Sequence, residues 1–129
     1  MSDAQTGFFL RKAAPWPVLR DAIAAGYGVP PDSVARFDDP ADPIVRVELH
    51  EHEQGFAQQV DLYVDLRRVR GVPLTQLAAR ISSATACDVA YDDEASQDPF
   101  RWLLVDAAGT TRAVMQSTAD IDGLLLVEP

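Results

Sequence analysis

The stretch IVRVELHEHEQGFAQQVDLYVDL, Ile44 to Leu66, decides how this chain folds. Apolar and polar residues alternate along both of its arms, and alternate side chains of a strand point to opposite faces. The pattern predicts two strands, Ile44 to Glu53 and Phe56 to Leu66, joined at Gln54 and Gly55. A turn there sets Leu49 opposite Val60, Val47 opposite Leu62, and Val45 opposite Val64, so that six apolar side chains share one face. A slip of one residue would turn that whole set into water, and the register is therefore strongly specified.

The same alternation sends Arg46, Glu48, His50 and His52 to the other face, with Gln59 opposite His50 and Asp61 opposite Glu48. Alternate side chains on one face lie about 7 Å apart and can converge on one ion. Glu48, His50, His52 and Asp61 are thus a candidate metal site, with zinc as the candidate cofactor of a metal sensor or metal-dependent enzyme. The competing reading is a solvated strand end whose charge blunts edge pairing, with no cofactor at all. His-x-His pairs also occur in cupins, but that pattern requires a glutamate where this chain has Phe56 or Ala57.

Working outward from the hairpin, the chain repeats itself. PWPVLRDAI (Pro15 to Ile23) matches PLTQLAARI (Pro73 to Ile81), with Trp16, Leu19 and Ile23 answered by Leu74, Leu77 and Ile81. Both segments read as helices, with proline at the first turn and apolar residues at i, i+3 and i+7. Gly26 or Gly28 ends the first, whereas SSATACD ends the second less cleanly. FDDPADP (Phe37 to Pro43) then resembles YDDEASQDP (Tyr91 to Pro99), each leading into an alternating stretch. The expected fold is α+β: a two-layer sandwich in one domain, 1–129, built from two helix-plus-three-strand pseudo-repeats at about 8–66 and 67–127. They form a mostly antiparallel sheet with both helices on one face. Phe8 to Leu10 would add an edge strand, and Leu124 to Val127 another at the far end.

Matching Pro43 to Pro99 shows where the two halves differ. Leu103 and Val105 take the core positions of Val47 and Leu49, while Phe100, Trp102 and Leu104 stand where Ile44, Arg46 and Glu48 face outward. With Gly109 in a left-handed turn, Trp102 pairs across to Val114. Phe100, Trp102, Leu104 and Val114 form an apolar patch that needs a cover. Either the C-terminal LLLVEP supplies it, or a protein partner does, a second copy in a homodimer included.

Twenty acidic residues against eleven basic ones leave a net charge of −9, which repels nucleic acid and anionic membranes. MSDAQTGFF lacks the basic and apolar regions of a signal peptide, so a cytoplasmic protein is expected. Cys87, followed by Asp88, reads as a buried structural thiol rather than a nucleophile. The glycines form no phosphate cradle, the acidic loops lack the EF-hand glycine and terminal glutamate, and LRRVRG (Leu66 to Gly71) is expected to pair with nearby acids. What is left is a non-enzymatic protein-binding domain. In size, charge and element order it is analogous to small immunity proteins and to secretion chaperones; no sequence motif carries either analogy.

Overall fold

A computed structural model describes residues 3–117 and 126–127. The chain runs β1 (Asp3–Leu10), α1 (Trp16–Tyr27), a 3-10 turn at Pro31–Ser33, β2 (Val34–Arg36), β3 (Val45–Glu51), β4 (Gln58–Asp65), α2 (Leu74–Thr85), β5 (Val89–Asp92), β6 (Arg101–Val105), β7 (Thr111–Gln116) and β8 (Leu126–Val127). The fold is α+β, an open and mostly antiparallel sheet with two helices among the described residues. Its strand order is β2-β3-β4-β1-β5-β6-β7-β8.

Both helices begin just after a proline, Pro15 and Pro73, whose carbonyls accept from the Leu19 and Leu77 amides. Gly28 ends α1 at φ 70°, and Ala86 ends α2 at φ 56°, a left-handed conformation that an alanine adopts only at some cost. Leu19 and Ile23 of α1 and Leu77 and Ile81 of α2 are fully buried, in one cluster with Phe8, Leu10, Val47, Leu62, Val89 and Val105. We call the sheet face that carries this cluster the core face. Burying a side chain of this kind contributes roughly 1.5–3 kcal/mol. Gln58, also on that face and 4% exposed, accepts the Ala14 amide at 3.0 Å and so ties the approach to α1 to β4.

The hairpin register is the one the alternation requires: Val45 pairs with Val64, Val47 with Leu62 and Leu49 with Val60. The ladder is shorter than expected, however, because β3 stops at Glu51 and β4 starts at Gln58, leaving a loop across Gln54 and Gly55. In the second hairpin Trp102 pairs with Val114, and Gly109 has φ 89°.

The N-terminal strand is not at an edge. β1 lies in the middle of the sheet, antiparallel to β4 from Asp3↔Asp65 through Leu10↔Gln58, and to β5 at Phe9↔Ala90 and Leu10↔Val89. The residues explain why: Phe8 and Leu10 are buried in the core cluster, while Phe9 between them packs against a second apolar cluster on the opposite face. A strand with apolar partners on both faces belongs inside a sheet. The two halves also differ where they matched in sequence, since β2 runs parallel to β3 whereas β5 runs antiparallel to β6. At the far end, Leu126–Val127 extends the sheet beside β7; Leu124 and Leu125 lie outside the described residues.

After β4 the chain turns on Asp65. Its carboxylate accepts from the Arg67 amide at 3.0 Å, from Arg67 Nε at 3.1 Å and from Arg68 Nε at 2.8 Å. Arg68 also donates to the Pro43 carbonyl at 2.7 Å, joining this turn to the start of β3. The Arg67 side chain foremost, against some opposing burial, holds the Asp65 carboxyl down at about 2, below its ordinary 3.8. A carboxyl depressed on folding contributes stability that is fully present above its unfolded value and is lost as pH falls through its folded one. Asp65→Asn is therefore expected to lower the urea midpoint at pH 6, with the gap to wild type narrowing steadily below pH 4. A gap independent of pH would refute this.

Candidate functional site

On the face opposite the core, β3 and β4 carry a connected row of polar side chains. Glu48 and Asp61 are direct cross-strand neighbours, and His50 stands beside them, opposite Gln59. Nε2 of His50 lies 3.3 Å from Glu48 Oε1 and 3.5 Å from Asp61 Oδ2. One ligand atom from each of the three residues falls within 4.8 Å of the other two. The Tyr63 hydroxyl donates to Glu48 Oε1 at 3.2 Å, and the Gln59 amide donates to Asp61 Oδ2 at 3.2 Å. Burial, and then the charge of Glu48, push the Tyr63 hydroxyl above its ordinary value of 10.0, so Tyr63 stays a donor to Glu48 at neutral pH.

His52 faces the same way but stands apart from this trio. Its ring stacks on Phe9 at 6.2 Å between centroids, and its Nε2 meets Gln59 Oε1 at 3.0 Å. Gln59, whose nitrogen donates to Asp61, thereby links His52 to the trio. Three of the four candidate ligands therefore converge, and the fourth supports them at one remove through Gln59. Gly7, paired with Asp61, clears the space: a Cβ there would lie 2.7 Å from Asp61 Oδ1.

Further along the same face, Leu104 and Val114 are each 1% exposed, in a cluster with Ala90, Phe56, Phe9 and Trp102. Of the four residues of the expected apolar patch, these two are buried, Trp102 is half-buried and Phe100 is 45% exposed. Trp102 packs edge-on against Phe9 at 5.6 Å and donates its Nε1 to Gln116 Oε1 at 3.1 Å. Phe56 is a contributor that sequence reasoning missed. Released from the ladder in the β3–β4 loop, it is buried to 2% exposure, with the Arg11 guanidinium 4.7 Å above its ring. Residues 118–125, which include Leu124 and Leu125 of the segment expected to cover this face, lie outside the described residues.

The other sequence candidates resolve into structural roles. Cys87 is 8% exposed with Sγ 3.4 Å from Thr85 Oγ1, and Arg67 and Arg68 of the basic segment close on Asp65. In the second acidic loop Asp93 binds Arg101 at 2.8 Å. Among the described residues, the Glu48, His50 and Asp61 group is the only one with the spacing of a metal centre. No helix among those residues is long and apolar enough to cross a membrane. Comparison with family profiles, with curated proteins and with solved structures finds no match to this chain.

Proposed function

We propose that this chain is a non-enzymatic protein-binding domain whose outer sheet face receives a basic protein partner. The observation that carries the reading is the pairing of accessible aromatics with carboxylates on that face. Trp102 is in register with Asp92, which is exposed, Phe100 stands exposed just before β6, and Glu48 and Asp61 lie on β3 and β4, beyond the intervening β1. A net charge of −9 steers a basic surface toward such a patch, and a half-buried tryptophan is a common anchor once it arrives. Leu104 and Val114, buried beneath, hold the anchor in place rather than touch the partner. A second copy of the chain is the rival occupant, disfavoured because two faces of like charge repel.

In this reading the helices are one layer and the sheet the other, and the two helix-plus-three-strand units present unlike halves of one binding face. The shared burial of Leu19, Ile23, Leu77 and Ile81 supports that arrangement, and the cytoplasm is the compartment we assign.

The test compares variants in capture from the native host. Phe100→Ser combined with Asp92→Lys alters exposed positions, where substitutions usually change stability by about 0.5 kcal/mol or less. It is expected to lose a basic protein that wild type retains, while Asp21→Lys on the exposed side of α1 retains it. Equal capture by both variants, or a partner of acidic character, would overturn the proposal; a doubled mass in light scattering that the face variant abolishes would replace it with self-association.

A further inference from the structure

We propose that Glu48, His50 and Asp61 form a binding site for a divalent first-row transition-metal cation such as zinc, with His52 outside the coordination sphere. An ion with bonds of about 2.0–2.1 Å in tetrahedral geometry spaces its ligand atoms about 3.3 Å apart. The His50 nitrogen lies 3.3 and 3.5 Å from its two carboxylate neighbours, and all three ligand atoms lie within 4.8 Å of one another, a set that side-chain adjustment can close on an ion. Three protein ligands leave one position for water or for a group from elsewhere. An imidazole nitrogen with two carboxylates suits a first-row divalent ion better than magnesium or calcium, which take oxygen ligands.

Four features beyond the spacing point the same way. Glu48 and Asp61 sit directly opposite each other, and like charges in that relation are destabilising unless a cation lies between them. Arg46, two residues before Glu48 on β3, is engaged elsewhere: its guanidinium donates to the carbonyls of Asp39 at 2.9 Å and Ala41 at 2.6 Å. Each carboxylate is instead oriented by a neutral donor, Tyr63 on Glu48 and Gln59 on Asp61, the kind of outer hydrogen bond that fixes metal ligands. Gly7 completes the set, since the Asp61 carboxylate occupies the space a side chain there would take.

The site shares Glu48 and Asp61 with the face read above as partner-binding, and it is tested without any partner, so that its failure and the failure of that reading are told apart. Chelator-stripped full-length protein is titrated with zinc sulfate by calorimetry, and with cobalt(II) chloride by visible absorption. One equivalent of zinc is expected to bind and raise the melting temperature, and cobalt to give the intense bands of a tetrahedral site. His50→Ala and Glu48→Gln are expected to lose stoichiometric binding, and His52→Ala to keep it. Gln59→Ala is expected to weaken binding about tenfold, as loss of an outer hydrogen bond does. Circular dichroism confirms that each variant is folded, and the exposure of His50 makes its replacement benign. Absence of stoichiometric zinc binding by the wild type would overturn the proposal, as would undiminished binding by His50→Ala or equal loss in His52→Ala.

Discussion

Replacing Phe56 by alanine is expected to destabilise the protein by about 3 kcal/mol or more, the usual cost of removing a buried aromatic ring. Seen only as a residue in the β3–β4 loop, Phe56 would be thought dispensable. Its ring, however, is buried with Ala90, Leu104 and Val114, on the face that no helical residue of the main core shares. Removing it exposes those strand residues to water and gives up the Arg11 stacking, worth roughly 0.5–1 kcal/mol where exposed. Urea denaturation measures the loss. Hydrogen exchange locates it: the Ala57 amide, bonded to the Arg11 carbonyl, and the amides of β6 should exchange faster, with α1 and α2 less affected. A change in midpoint within the range of a surface substitution would show that the ring is not structural.

The second large effect is expected at Trp102. Trp102→Glu removes the edge-on contact with Phe9 and the bond to Gln116, and it sets a carboxylate opposite Asp92 across the β5–β6 ladder. Losing a half-buried indole costs up to about 3 kcal/mol, the low end of the range for a core ring, and the new like-charge pair adds to that. Light scattering alongside denaturation separates the roles of this side chain. A destabilised protein of unchanged mass assigns Trp102 to the fold and would withdraw the anchor role proposed for it, leaving Phe100 and Asp92 to meet the partner. A fold of undiminished stability would contradict the packing described above.

How far the sequence foretold this depended on whether a pattern reported on one face or two. In the Ile44–Leu66 hairpin one face is core and the other wet, so alternation determined the register residue by residue. In Gly7–Leu10 both faces are covered, alternation is erased, and the central position of β1 went unrecognised. Three consecutive apolar residues, Phe8, Phe9 and Leu10, were nevertheless a usable sign of burial on both sides. The parallel pairing of β2 was illegible for another reason: three residues carry too short a pattern to fix a direction. At the candidate metal site, alternation placed Glu48, His50 and Asp61 together. It left His52 in the group because spacing along one strand says nothing about a glutamine on the next that intervenes. Phe56 escaped because the ladder ends at Gln58, beyond which the pleat no longer dictates direction.

The central place of β1 bears on how the molecule is made. The strand finds its two neighbours at β4 and β5, with residues 58–65 on one side and Val89–Ala90 on the other. During synthesis it therefore waits with both hydrogen-bonding edges open until residues 58–65 are made, and with one still open until Val89 and Ala90 follow, and closing loops of that length makes sheets slow to fold. Open edges are where chains pair wrongly with one another. Slow refolding whose yield falls steeply with protein concentration is the behaviour this topology implies, and β1 is where a binding chaperone would do most good.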